Sequence, residues 1–189
     1  MRERRRNHVK ALYTFDAVVH RVQPDQWDHP TPCSEWTARQ IVSHLCFILP
    51  LWIGRDAPEG TELTLADGDP VATWDRSLDL HLAAIDDEAD LSAEVSTNMG
   101  PMPMGQSLGI LLIDPLLHAW DLGRAVDVDP HLPRDLARVA LDTLTFARDF
   151  IDTMFCPALG GPDDDVVDAM LRVSGRDPAW QADAAPRDT

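Results

Sequence analysis

The sequence predicts an all-α fold: a single-domain four-helix bundle with a crossover loop or short hairpin between helices 3 and 4 and a short C-terminal helix. Three observations predict it. Apolar residues recur at three- and four-residue steps in successive segments of helical length. Clusters of Pro, Gly and Asp separate those segments and supply start and stop signals. The 189 residues are 44% hydrophobic and 25% charged, which suits one globular domain with a sizeable core. No repeat or domain boundary divides residues 1–189, and only the ends, about 1–6 and 176–189, are expected to be flexible.

The first helix is expected over about 7–22, where Val9, Leu12, Phe15, Val19 and Val22 mark one face. Pro24 ends it, and the polar stretch to Glu35 reads as a loop. The second helix has the sharpest start signal. Thr37 and Gln40 stand at capping-box spacing, and Trp36 and Ile41 occupy hydrophobic-staple positions. Ile41, Leu45 and Ile48 then form a stripe until Pro50 kinks or ends the helix. Asp69 and Pro70 read as N-cap and first residue of a third helix, with Val71, Trp74, Leu78, Leu82 and Ile85 as its stripe.

Residues 96–107 are not expected to form regular helix, because Gly100, Pro101, Pro103 and Gly105 break it. The run Leu108 to Ile113 is apolar enough for a buried strand or a helix. Helix is preferred, within a segment that continues to Val126. Pro130 and Pro133 punctuate the chain before a helix over about 134–154 that carries Leu136, Ala140, Leu144, Ala147 and Ile151. A short helical piece is expected near Asp165–Val173.

Charge excludes some functions. Thirty-two acidic residues against sixteen basic ones give a net charge of −16, and nucleic acid or an anionic membrane repels such a polyanion. Arg2, Arg4, Arg5 and Arg6, the only basic cluster, read as a short solvated terminus. The segment Val9 to Val22 is interrupted by Asp16 and His20 and is no signal peptide. No apolar stretch approaches the roughly 20 residues of a membrane span. Cys33, Cys46 and Cys156 are odd in number and form neither a CxxC pair nor a disulfide framework, as expected of a soluble cytoplasmic protein. No serine–histidine nucleophile motif, Gly-rich phosphate loop or dinucleotide fingerprint is present.

Seven histidines remain. His8, His20, His29 and His131 lie in terminal, helix-end or loop contexts and are expected at the surface, and His81, beside the apolar face of its helix, is expected to be exposed. His44 lies between Ile41 and Leu45, on the inward side of the second helix. His118 sits in the most apolar stretch of the chain, four residues after Asp114, so a helix places both on one face. A carboxylate and an imidazole so placed can share a cation, and a facing histidine would complete three ligands with an open position. That donor set suits Zn²⁺, and also Ni²⁺ or Fe²⁺. Blander readings stand beside it. An inward histidine is commonly a hydrogen-bonded core residue, and Pro115 makes Asp114 a candidate helix N-cap. Asp121 either orients a ligand as a hydrogen-bond acceptor or pairs with Arg124 at i+3. Trp27, Trp36, Trp52 and Trp120 read as packing residues rather than a ligand cage, and Met99, Met102 and Met104 as loop–core packing rather than a pocket mouth.

The stretches PDQWDHPTPCSEWTARQIVSHL, DPLLHAWDLGRAV and GRDPAW occur in that order and span most of the chain. Together they resemble the DinB-like metal-binding superfamily, and within it the group related to the N-terminal domain of mycothiol-dependent maleylpyruvate isomerase. The resemblance implies a four-helix bundle that holds one divalent metal through a histidine of the second helix and an acid-x-x-x-His pair of the third. Carried over by motif position, the ligands are His44, Asp114 and His118. The carboxylate is Asp rather than the isomerase's Glu, which shortens its reach, and Pro115 removes one helix hydrogen bond beside it. The extra C-terminal domain of the full isomerase is expected to be lacking, so maleylpyruvate is not carried over as the substrate.

What the resemblance implies is a metal centre, zinc first with nickel or iron as alternatives, that binds a low-molecular-weight thiol such as mycothiol. The thiolate would add to a small electrophile, as in S-transfer or isomerisation. The alternatives are a metal-hydroxide hydrolase of a small amide or conjugate, and a non-catalytic metal-stabilised binding module. The expected partners are a small-molecule substrate and the thiol, with neither nucleic acid nor membrane; a homodimer is compatible with the sequence.

Overall fold

The computed structural model describes residues 1–34, 36–56, 68–97, 99–146, 156–162 and 165–182. Among them the elements run α1 (Arg2–Val19), α2 (Ala38–Leu51), α3 (Pro70–Ala84), β1 (Glu94–Thr97), β2 (Gly100–Pro103), α4 (Met104–Leu111), α5 (Ile113–Val126), α6 (Arg134–Phe146) and α7 (Val166–Val173). The fold is all-α with one small hairpin. The bundle consists of α1, α2, α3 and the consecutive α4–α5: α1 packs on α4 and α5, and α2 packs on α3 and α5. Its core interleaves Leu12, Phe15 and Val19 with Ile41, Leu45, Leu49, Trp74 and Leu122. Phe15 meets Trp74 edge-on, with ring centroids 4.8 Å apart. On the other side of α5, Leu116, Leu117 and Trp120 pack with Leu136 and Ala140 of α6 and Met170 of α7.

Local chemistry accounts for the boundaries. Helix α1 begins five residues earlier than the apolar stripe suggests, at Arg2. Its arginines are helical rather than a loose tail: Arg2, Arg4 and Arg6 are exposed, as expected of a solvated terminus, whereas Arg5 bonds the Asp86 carbonyl and the Asp87 carboxylate, and the Arg4 stem lies where a Cβ on Gly109 would stand at 2.8 Å. The helix stops at Val19, and the next turns close by shorter bonds from Arg21 to Val18 and from Val22 to Val19. Pro24 follows, and the residue before a proline resists helical geometry. Helix α2 starts as expected at Thr37, whose N–H donates to the Gln40 side chain at 2.8 Å. Pro50 does not end it; the helix runs one residue further, to Leu51. Helix α3 is capped by Asp69, which accepts from the N–H groups of Val71 and Ala72.

The crossover contains the hairpin, with Val95 opposite Met102 and Thr97 opposite Gly100. One expectation fails here. Met104 to Ser107 are helical although Gly105 falls among them. The first-turn N–H groups of Met104 and Gly105 find the Ala93 and Leu91 carbonyls at 2.9 Å each, so the loop caps the helix. Glycine suits that approach, since a Cβ would stand a tight 3.2 Å from the Leu91 oxygen. Leu108–Ile113 is helical, not a strand, and α4 gives way to α5 at Leu112. At its far end α5 closes on Asp127 in the left-handed region (φ 57°), with the Val128 N–H bonding the Gly123 carbonyl at 2.8 Å. Of the helix expected over 134–154, Arg134–Phe146 is present, and Ala147 and Ile151 lie outside the described residues, as does Glu35. Among the described residues no helix is long and apolar enough to cross a membrane.

Candidate metal centre

Helices α2 and α5 bring His44, Asp114 and His118 together, with one donor atom of each within 4.8 Å of the others. The stripe of Ile41 and Leu45 turns His44 toward α5, where its side chain keeps 20% exposure and Asp114 21%. His118 is buried. His44 Nε2 lies 3.4 Å from Asp114 Oδ2, long for a charge-assisted hydrogen bond. The His44 and His118 rings meet edge-on, with centroids 5.0 Å apart. Among the described residues the acid–histidine pair stands on the fifth helix rather than the third, because α3 and α4 intervene.

The N-cap alternative for Asp114 is not what the helix adopts. Leu112 is the cap residue, and Asp114 lies inside the first turn with its carboxylate on His44. Pro115 follows within that same turn, where backbone N–H groups have no intrahelical partner in any case. The proline therefore costs α5 no bond.

Asp121 organises the layer beneath. His118 Nδ1 donates to Asp121 Oδ2 at 2.9 Å, which leaves Nε2 as the ring's free lone pair. Asp121 does not pair with Arg124. That guanidinium bonds the Trp180 carbonyl and lies 5.9 Å over the Trp120 ring. The partner is Arg176, which reaches Oδ1 from Nε at 3.1 Å and Oδ2 from Nη2 at 2.8 Å. The Cys33 thiol donates to Oδ2 at 3.3 Å. Burial acts to raise Asp121, but the Arg176 charge and the His118 hydrogen bond outweigh it and hold the carboxyl well below its usual range. Burial likewise acts to raise Asp114, and the bond and charge of His44, then the charges of His118 and Arg176, bring it below the ordinary value. For His118 burial wins over the Asp121 bond, and its pKa falls, so the ring is neutral and free to ligate. A second convergent group, Cys33, His118 and Asp121, is less apt. Asp121 is committed to Arg176, and burial, then the Asp121 charge, push the Cys33 thiol up to about 12, so the sulfur keeps its proton.

Cys33, Trp36 and Arg176 were not singled out as site residues by their chemistry, although all lie in the motifs that carry the resemblance. The loop between α1 and α2 supplies two of them. Thr31 Oγ1 donates to the Cys33 and Trp36 carbonyls, and a bridge between Pro30 and Thr37 closes the loop. Trp36 is thus more than packing: its ring lies 4.6 Å from His44 and 5.6 Å from His118 between centroids. Trp27, Trp52 and Trp120 are buried in the core, as are Met102 and, in part, Met99 and Met104. Arg176 is buried although it lies in a stretch expected to be flexible.

Two histidines depart from expectation. His8 and His81 are not exposed but 0% and 3% accessible, because each sits at a core position of its own helix, α1 and α3. Their Nε2 atoms are 2.9 Å apart. His20 lies between Asp16 and Asp75 and His131 against Asp129 at the surface, while His29 is half-buried on the Ala125 carbonyl.

A family model described as the mycothiol maleylpyruvate isomerase N-terminal domain matches residues 10–123, a stretch that contains His44, Asp114, His118, Cys33 and Asp121. Two Mycobacterium tuberculosis proteins described as uncharacterised, MT0763 of strain CDC 1551 / Oshkosh and Rv0738 of strain ATCC 25618 / H37Rv, are each 30% identical over 159 residues, covering 78% of this chain and 79% of theirs. Crystal structures of the mycothiol-dependent maleylpyruvate isomerase and of a histidine-to-alanine mutant of it each superpose with a TM-score of 0.58 at 17% identity, over 76% of this chain and 69% of theirs. At that identity they show a shared fold. With the family match over α1 to α5, the chain belongs to the mycothiol maleylpyruvate isomerase N-terminal domain family, of DinB-like architecture.

Proposed function

We propose that this protein binds one divalent metal, zinc first, through His44, Asp114 and His118, and uses it as a thiol-dependent transferase or isomerase of a small electrophile. One observation carries the reading: two neutral-capable imidazoles and an ionised carboxylate converge, and Asp121 fixes His118 with its lone pair at Nε2. The donor set fits the metal. Three protein donors leave a coordination position, and a bound cation would lower the pKa of a thiol there to give a nucleophile at neutral pH. The family name and the isomerase's dependence on mycothiol favour that thiol over water as the second ligand.

The chain's own residues do the rest. Asp114 supplies the negative charge that offsets the cation. Arg176 holds Asp121 ionised, so His118 cannot rotate to its other tautomer without losing a buried charge-assisted bond. Trp36 covers His44 and His118 and shields one side of the centre from water. The test is calorimetry of the zinc-loaded protein with mycothiol in buffers of different ionisation enthalpy. Binding is expected to release a proton, read as a buffer-dependent heat, and His118→Ala is expected to show neither binding nor release. If mycothiol, glutathione and other cellular thiols give no heat with fully metallated protein, the thiol reading fails and a turnover screen on amides and conjugates takes its place.

A further inference from the structure

His20 is the C-cap residue of α1 and stands between two carboxylates, Asp16 one turn back on the same helix and Asp75 on α3. Its Nδ1 faces two acceptors, the Asp16 carbonyl at 3.1 Å and Asp16 Oδ1 at 3.3 Å. The single ring hydrogen of a neutral imidazole therefore belongs on Nδ1, which leaves a lone pair on Nε2. That lone pair meets a further acceptor, Asp75 Oδ1, at 3.1 Å. Two acceptors so close call for a positive charge between them, either a second ring proton or a metal cation. Nearby side chains supply none. Among the described residues neither Asp16 nor Asp75 pairs with an arginine or lysine, and Arg21, beside His20 in sequence, reaches the Asp129 carbonyl. The last turn of α1 carries no basic side chain, although the negative pole of the helix lies there.

The donors are arranged as a small cation needs them. One atom from each of Asp16, His20 and Asp75 lies within 4.8 Å of the others. Ligands of one zinc ion stand about 3.0–3.5 Å apart, a spacing that Nε2 and Asp75 Oδ1 already have. An Nδ1–H given to a backbone carbonyl is the usual way a histidine is oriented to ligate through its other nitrogen. Asp16 is oriented in its turn, since the buried Trp74 donates from Nε1 to Oδ1 at 2.9 Å. We propose that His20 Nε2, Asp75 and Asp16 form a second cation site, for a divalent transition ion such as zinc, that clasps the end of α1 to α3. The imidazole selects a transition ion over magnesium or calcium. These side chains are more exposed than those of His44, Asp114 and His118, so this site binds more weakly and fills after the centre on α2 and α5. The inference does not depend on that centre or on the thiol.

The experiment titrates zinc into the full chain after the first equivalent is bound, followed by calorimetry. The wild type is expected to take up a second, weaker equivalent. His20→Ala and Asp75→Asn are each expected to weaken it by roughly tenfold or more, while His131→Ala, which removes another surface histidine beside an aspartate, leaves it unchanged. The variant with both His44→Ala and His118→Ala is expected to keep this binding, so failure of the first centre and of the second are read apart. NMR supplies a signature that a mere salt bridge would not give. The indole N–H of Trp74, identified by its loss in Trp74→Phe, is expected to shift with the second equivalent, because Asp16 takes on the cation. Absence of a second equivalent leaves His20 an imidazolium between two carboxylates and overturns the site. Equal uptake by the wild type and both site variants, or a Trp74 signal indifferent to the second equivalent, overturns it as well.

Discussion

Replacing both His8 and His81 by leucine is expected to make the protein less sensitive to mild acid. In the folded protein His81 titrates at about 4 against an ordinary 6.5. The folded value is the lower one, so between those values the unfolded chain binds more protons and acid favours unfolding. The neutral ring's contribution is intact above about pH 6.5 and is lost progressively as pH falls toward 4. The full shift corresponds to about 3 kcal/mol, of which about 2 kcal/mol falls between pH 7 and pH 5. His8 shifts in the same direction and adds to it. His118 is lowered too, but it is present in both proteins and cancels in the comparison. Leucine at both positions leaves no half of the pair stranded, and replacing both polar partners by apolar groups can be nearly neutral at pH 7. The assay is urea unfolding of both proteins at pH 7 and pH 5, where carboxylates still contribute little. The wild type is expected to lose about 2 kcal/mol more than the double variant over that interval. Equal losses would refute the argument that these rings are held neutral by burial.

Three further outcomes follow from the centre and the fold. Protein purified without chelator is expected to carry about one divalent ion per chain. His44→Ala and His118→Ala should lose most of it, whereas His20→Ala and His131→Ala should retain it; full metal content in both ligand variants would sink the assignment. Asp121→Asn is expected to weaken zinc binding by about 10–100-fold in a competition assay and to destabilise the fold by roughly 3–5 kcal/mol, because Arg176 keeps its charge without a buried counter-charge. Gly123→Ala places a Cβ 2.5 Å from the Val128 carbonyl oxygen and is expected to lower stability by about 1–3 kcal/mol, measurable as a fall in Tm with the helical circular dichroism intact.

Local rules with a short range were legible in the sequence. The caps at Thr37 and Asp69, the stripes of α2 and α3 and the i, i+4 face of Asp114 and His118 each depend on a few neighbouring residues, and the structure has them. What the sequence hid depends on distant partners. Gly105 begins a helix because the Ala93 and Leu91 carbonyls come to its first turn. His81 looked exposed because periodicity cannot show that His8, seventy-three residues away, would meet it. Spacing offered Arg124 as the partner of Asp121, yet a residue 55 positions on, Arg176, takes the role. Helical spacing proposes neighbours on one element, and the tertiary fold then chooses among them.

That separation along the chain has a consequence for biosynthesis. The three candidate ligands and Asp121 are made before Arg176, and the 55 positions from Asp121 to Arg176 take about 3–11 s to synthesise at roughly 5–20 residues per second. For that interval the carboxylate that should orient His118 has no guanidinium beside it and is itself open to a cation. Metal captured early would meet a nascent chain that can offer Cys33 and Asp121 as well as the mature trio. On the proposed metal-binding reading, the arrival of Arg176 would withdraw Asp121 from that competition, so the last turn of assembly would select which donors an ion keeps.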